Sequence, residues 1–225
     1  MPSIQSNVFS EINYLVSKAM SQNRLMHPTQ TLDYDPGESL SILLARLAEE
    51  GMLQWTPQRA RDVTFVSSES AAYIGGIWLE EFAYLQIRQA GLENIEVGVT
   101  VTWQNSKKDA SHVNNEFDLL VTHRNRLLVV ECKSGRVSAQ KQAGQDHLCP
   151  TCKNPLDQKP QDIVHKIDAL GKKVGGLFGS TLLLSAQKLD DRAKERAKRA
   201  KITVLDGENG LRSLSDEIRG WMTSR

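Results

Sequence analysis

Residues 129–135 read VVECKSG, so an acid, Glu131, and an amine, Lys133, stand two positions apart at the end of the apolar run Leu127, Leu128, Val129 and Val130. In a strand, positions i and i+2 share a face, which sets a carboxylate and an ammonium side by side on a surface that their neighbours mark for burial. The turn before this strand places a second acid. The loop HRNR, residues 123–126, has a length common in hairpins and pairs Thr122 with Leu127. Counting outward from that rung brings Asp118 opposite Glu131, with Cβ atoms roughly 5 Å apart. Two carboxylates that close repel each other in an apolar setting unless positive charge lies between them. A hard divalent cation, Mg²⁺ or Mn²⁺, meets that need, because such ions take oxygen from one or two carboxylates, from water and from a substrate phosphate. Lys133 is then placed to orient or help deprotonate an attacking water, or to neutralise charge developing on the phosphate. An ion pair across an exposed hairpin is the plainer alternative, and it suits a polar strand better than this apolar one.

The segment 71–90 offers a third acid. At about 100° per residue, Ile74, Ile77, Trp78, Phe82 and Leu85 cluster on one helical face, with Glu81 inside that face and Glu80 well off it. An acid within a core-facing stripe needs a partner. Glu81 is therefore a metal ligand, a base close behind the ligands, or a buried acid paired with a basic side chain.

The elements that must hold these residues follow from periodicity. A helix over 7–20, a polar stretch over 21–37 that reads as a linker, a helix over 39–52 closed by Gly51, and a short wing over 55–65 make residues 1–67 a helical connector, winged-helix-like or purely structural. Residues 68–225 read as one domain. In it a helix over 69–90, strands at 95–103, 116–122 and 127–133, a helix near 160–174, the strand STLLLSA, a charged helix over 188–200, the strand KITVLD and a terminal helix follow in the order α-β-β-β-α-β-α-β-α. An early meander with later crossovers implies an α/β fold, a mixed sheet with helices on both faces.

The pattern Asp118…Glu131-Cys132-Lys133, preceded by a helix carrying Glu81, resembles the PD-(D/E)xK, restriction-endonuclease-like nucleases. The segments GGIWLEEF (75–82), NIEVGV (94–99), NEFDLLVTHRNRLLVVECKSG (115–135), DIVHKIDALGKKVGGLFG (162–179) and RAKERAKRAKITVLDG (192–207) are similar to the nuclease domain of the CRISPR-associated nucleases activated by cyclic oligoadenylates. The likeness covers about residues 68–215, and the preceding helix and wing are similar to that family's connector. It implies Asp118 and Glu131 as metal ligands, Lys133 as the catalytic lysine and Glu81 as the helix acid. The implied reaction is metal-dependent cleavage of single-stranded DNA, RNA or nicked duplex, by a homodimer, since relatives pair. In that family a Rossmann-like sensor domain gates the nuclease. The residues ahead of Ser68 are too few for one, so the chain reads as an isolated nuclease part, a stand-alone relative or a nuclease controlled by another polypeptide, with any cyclic-oligoadenylate sensor domain on another chain or missing from this one.

Other features carry less specific signals. His147, Cys149 and Cys152 have zinc-knuckle spacing within a long insertion at 136–160, with His165 as a candidate fourth ligand; a loop with thiols is the alternative to a structural Zn²⁺. The helix over 188–200 is either a solvated charged face or a phosphate-tracking surface through Arg192, Arg196 and Arg199, assisted by Lys107 and Lys108. His123 falls in the hairpin turn, where exposure is expected. The glycines of GKKVGGLFG lack the GK[ST] of a P-loop. Lys and Arg number 28 against 27 Asp and Glu, so any basic surface must be local. Three cysteines do not make a disulfide framework, and no apolar run is long enough for a bilayer. A cytoplasmic protein with no membrane partner is the expectation.

Overall fold

The segment NVFSEINYLVSKA winds into the first helix, α1 (Gln5–Ala19), whose residues Ile12, Leu15, Val16 and Ala19 recur at helical spacing and are buried. The structure is a computed structural model, and it describes residues 5–22, 24–103, 113–135, 164, 167–168 and 179–224. They form two units: Met1–Trp78 with residues 134–135, and Leu79–Lys133 with the described residues from 164 onward. The division falls between Trp78 and Leu79, inside the helical stretch.

In the first unit, α1 leads into the two-residue strands β1 (Met20–Ser21) and β2 (Arg24–Leu25), then β3 (Thr29–Thr31). Next come α2 (Glu38–Glu49), which buries Leu40 and Leu44, β4 (Leu53–Gln54) and β5 (Asp62–Phe65). The order β3-β5-β4 is antiparallel throughout. The polar stretch read as a linker thus supplies a strand. Its hydroxyls bond across the pair, Thr29 Oγ1 to Thr64 Oγ1 at 2.9 Å and Thr31 Oγ1 to Asp62 Oδ1 at 3.0 Å, while Gln30 and Leu32 are buried. Apolar counting misses a strand whose outer face is threonine. Of the wing, only 62–65 is extended; Pro57–Arg59 is a single 3₁₀ turn, beside which Trp55 Nε1 donates to the Ala60 carbonyl at 2.8 Å.

The helix expected over 69–90 is broken. Ser67 caps α3 (Ser68–Ala72) by accepting from Ser70 N, a π-turn follows over Tyr73–Ile77, and α4 (Trp78–Gln89) begins after it. Gly76 leaves helical geometry, at φ 175° and ψ −30°.

The second unit, from Leu79 onward, is built on one sheet. Its strands are β6 (Ile95–Trp103), β7 (Val113–His123), β8 (Arg126–Lys133), β9 (Gly179–Ser185) and β10 (Ile202–Asp206), with α5 (Asp191–Arg199) between the last two and α6 (Gly207–Thr223) at the end. The order is β10-β9-β8-β7-β6, antiparallel from β6 to β8 and parallel from β8 to β10. This is the mixed sheet that the sequence implies. Its parallel part is buried on both faces, as the consecutive buried Leu182, Leu183 and Leu184 require. On one face Leu183 packs with Ala193 and Ala197 of α5 and with Val164 and Ile167, which are helical. The rest of the helix near 160–174 lies outside the described residues. Asp190 caps α5 by accepting from Ala193 N at 2.7 Å. No described helix is long and apolar enough to cross a membrane.

Candidate active site

The hairpin that carries the acids turns on two residues, not four. Arg124 and Asn125 adopt φ of 48° and 61°, the left-handed pair of a type I′ turn, whose twist matches that of the flanking strands. His123 and Arg126 are already paired, and the register runs through Thr122↔Leu127 to Leu119↔Val130. The next rung would set Asp118 against Glu131. There the main-chain ladder gives way to a side chain: Cys132 N donates to Asp118 Oδ2 at 2.6 Å. On the other flank, Val97↔Leu119 and Val99↔Phe117 bracket Gly98, which stands across from Asp118 at φ 63°. Asp118 therefore occupies a point where the regular pairing of β7 is interrupted toward both neighbours.

Glu131 is only 5% exposed, and Lys133 Nζ lies 2.7 Å from its Oε1. Burial alone would depress the Lys133 amine, but the charges of Glu131 and Asp118 outweigh it and hold the pKa above the usual value. Lys133 thus stays an ammonium. Cys132, between them, belongs to the opposite face and is buried; burial first, then the charges of Asp118, Glu80 and Glu131, pushes its thiol well up.

The helix acid is not where one continuous helical phase puts it. α4 buries Leu79, Ala83 and Ile87, so Glu81 lies exposed and Glu80 is half-buried. The Glu80 carboxyl is pushed up to about 7, by burial first and by Asp118 next, with Glu116 and Glu131 adding and Lys133 opposing. Glu80 therefore shares an electrostatic environment with the hairpin residues. The expectation for Glu81 carried a single phase from Ile74 to Leu85 across the π-turn, and a π-turn adds a residue, which rotates everything beyond it by about 100°. Gly75-Gly76 was the available warning. Glu116, two positions before Asp118 on the same face of β7, is a further acid that sequence reasoning passed over.

The structure brings Asp118, Glu131 and Lys133 together and adds Glu80, while Glu81 is exposed on α4. Lys107, Lys108, His147, Cys149, Cys152 and His165 lie outside the described residues. On α5, Arg192 and Arg199 are exposed and Arg196 is half-buried; Arg199 Nε pairs with Glu195 Oε1 at 3.2 Å, and Lys194 with Asp206 at 2.8 Å. Among the described residues, no three of His, Cys, Asp and Glu converge into a ready-made metal cage. The donor set nonetheless fits a hard cation, for it is all carboxylate oxygen. Mg²⁺ and Mn²⁺ typically take one or two carboxylates and complete their shell with water and substrate oxygen.

Among solved structures, protein VC1899 from Vibrio cholerae is 19% identical with a TM-score of 0.71, over 97% of this chain and 51% of that one. Can2 from Sulfobacillus thermosulfidooxidans, solved in complex with cyclic tetra-adenylate, is 21% identical with a TM-score of 0.70, over 99% of this chain and 53% of that one. The chain spans about half the length of either protein, and at these identities the likeness shows the fold. None of the curated proteins matches. The family described as Card1-like, endonuclease domain matches residues 67–225, which is most of the chain and includes the hairpin and α4. The chain belongs to the family of Card1-like endonuclease domains.

Proposed function

We propose that the chain is a metal-dependent endonuclease that hydrolyses phosphodiester bonds of DNA or RNA in CRISPR-linked antiviral defence. The observation that carries this reading is the meeting on one hairpin of Asp118, bonded to Cys132 N, with the buried Glu131–Lys133 pair. Family membership and the fold shared with Can2 support it.

Asp118 and Glu131 would hold Mg²⁺ or Mn²⁺, with Glu80 rather than Glu81 as the helix acid. When bound, such an ion supplies Lewis-acid stabilisation of phosphoryl oxygen and an acidified water. The Asp118 carboxylate is oriented for this by the Cys132 amide. Lys133, held protonated by its acidic neighbours, neutralises charge growing on the phosphate and orients the attacking water from its place beside Glu131. Arg192, Arg196 and Arg199 would track the backbone of single-stranded DNA, RNA or nicked duplex. A homodimer and a cyclic-oligoadenylate sensor outside this stretch of sequence complete the proposal, the latter because Can2 was captured with cyclic tetra-adenylate.

The test is cleavage of labelled single-stranded DNA, single-stranded RNA and supercoiled plasmid with Mn²⁺, Mg²⁺ or chelator. Glu131→Ala and Lys133→Ala should each abolish cutting, and Glu80→Ala should impair it far more than Glu81→Ala. Cutting that survives chelation or both of the first two substitutions would sink the reading. Binding without turnover would make the domain a nucleic-acid-binding module.

A further inference from the structure

The parallel strands β8, β9 and β10 share a last rung: Lys133 is in register with Ser185, and Ser185 with Asp206. All three residues belong to the second unit. Their side chains share the face that also carries Glu131, since i and i+2 point the same way. One rung earlier stand Cys132, Leu184 and Leu205. The apolar strand β9 thus turns polar at its carboxyl end, which in open α/β sheets is the end where ligands bind. Ser185 is 0% exposed. Its hydroxyl donates to the Gln187 carbonyl at 2.7 Å and accepts from the Gln187 amide at 3.3 Å. One side chain therefore serves both main-chain groups of a buried residue and curls the chain over 185–187. Within that curl, Ala186 N donates to the Lys133 carbonyl at 2.9 Å. Further on, Leu189 N donates to Asp206 Oδ2 at 2.7 Å, an oxygen that Lys194 Nζ also approaches to 2.8 Å. The segment 185–189 is fixed at one end by Ser185 and at the other by Asp206.

We propose that Ser185 is a positioning residue for Lys133. Its hydroxyl holds the curl in the shape that presents the Ala186 amide to the Lys133 carbonyl. That bond fixes the main chain of Lys133 at the end of β8, and with it the place of the ammonium beside Glu131. The functional meaning rests on the nuclease reading; the bonds themselves do not. With alanine at 185, the buried amide and carbonyl of Gln187 lose the partner that the hydroxyl provides. Leaving such groups without it costs more than the bond itself contributes, so the curl rearranges and the Ala186 amide no longer meets Lys133 squarely. Misplacing a reacting group by about 1 Å slows a reaction by about 100-fold, and supporting contacts behind a site typically contribute about 10- to 100-fold.

The experiment compares the whole chain as wild type, Ser185→Ala, Ser185→Cys, Leu184→Ala and Lys133→Ala, by residue-resolved amide hydrogen exchange and by single-turnover cleavage with Mn²⁺. Leu184 is as buried as Ser185 but points to the other face, so Leu184→Ala weakens β9 without removing the hydroxyl. In Ser185→Ala, exchange of the Ala186 amide should quicken about tenfold or more. The cleavage rate constant should fall about 10- to 100-fold while substrate Kd stays within about twofold, the signature of an interaction that acts on the reacting geometry alone. Ser185→Cys, whose thiol is a weaker donor and acceptor, should fall between wild type and Ser185→Ala in both readouts. Leu184→Ala should lower the melting temperature more than Ser185→Ala does, yet slow cleavage less. Unchanged Ala186 exchange overturns the proposal, and Ser185→Cys alone decides this if Ser185→Ala does not fold. So does a wild-type rate constant in Ser185→Ala, or a loss of rate no greater than that of Leu184→Ala, since either leaves the serine a structural role only. A wild type no more active than Lys133→Ala defeats the nuclease reading, and Ala186 exchange still decides whether Ser185 fixes the end of β8.

Discussion

Glu80 and Glu81 are adjacent in sequence, yet Glu81 is exposed while Glu80 is half-buried beside the charges of the hairpin. That difference has a pH signature in the metal-free protein. The folded carboxyl of Glu80, at about 7, stands above its ordinary value of 4.5, so the folded state holds this proton more tightly than the unfolded chain does. Its favourable contribution is complete below pH 4.5 and is lost as pH rises through about 7. Glu80→Gln, which keeps the neutral form at all pH, should therefore raise the metal-free melting temperature at pH 8, by about 2 °C, and change nothing at pH 4. A gain of the same size at both pH values would remove the electrostatic explanation. Cys132 provides a second check: with Cys149 and Cys152 replaced by serine, its buried, strongly raised thiol should react with iodoacetamide about 100-fold more slowly than a peptide thiol until the protein unfolds. Brisk labelling of the native protein would show that β8 is open where Asp118 receives the Cys132 amide. These residues also show what a sequence can disclose. Asp118, Glu131 and Lys133 were legible because strand alternation is local and the turn sets the register. Glu80 was not, because a helical wheel assumes an unbroken period and the π-turn at Tyr73–Ile77 breaks it.

Among elements, the same contrast holds between patterns that close locally and those completed at a distance. The succession of strands β6 to β10 along the chain followed from apolar runs and turn residues, but β3 was hidden, because threonine pairing across to β5 is a tertiary fact. Nor could sequence spacing reveal that Arg126, the first residue of β8, closes the end of α6. Its guanidinium donates to the carbonyls of Trp221 at 2.6 Å, Met222 at 3.1 Å and Ser224 at 2.8 Å, and stands 4.8 Å from the Trp221 ring centroid. These last carbonyls have no helical partner of their own. Arg126→Ala should cost about 2 kcal/mol in urea unfolding, and Arg126→Lys should recover little, since an ammonium lacks the planar fork that reaches several acceptors at once. Full recovery by lysine would reduce the contact to simple charge. Gly98 is a comparable case in β6: its φ of 63° is left-handed, and a β-branched side chain there is strained by about 1–2 kcal/mol. Gly98→Val should therefore lower stability by that amount. It should also reduce cleavage beyond what the lost stability explains, because Gly98 stands across from Asp118.

For the molecule as a whole, the balance of 28 basic and 27 acidic side chains leaves almost no net field to gather a polyanion. Attraction must come from a patch, and at physiological salt a patch acts over about 8 Å. The strongest basic run in the described residues is α5, but its charges are not all available to a ligand. Lys194 is engaged by Asp206, and Arg199 shares Glu195. What distinguishes a phosphate-tracking surface from a solvated helix is counterion release. Each phosphate contact to a single strand contributes about 0.7 to the slope of log K against log salt. Replacing Arg192, Arg196 and Arg199 together by alanine should flatten that slope by roughly 2 if all three meet phosphates, and by about 1.4 if Arg199 stays with Glu195. The measurement is binding of a labelled oligonucleotide from 50 to about 200 mM salt, made in the Lys133→Ala background with chelator present so that the oligonucleotide survives. An unchanged slope, with α5 still folded, would assign the helix to solvation alone and move the search for the nucleic-acid path to Lys107 and Lys108. A reduced slope would tie a nearly neutral protein to its polyanionic substrate through one helix, and predicts that cleavage slows with added salt in wild type more steeply than in the triple variant.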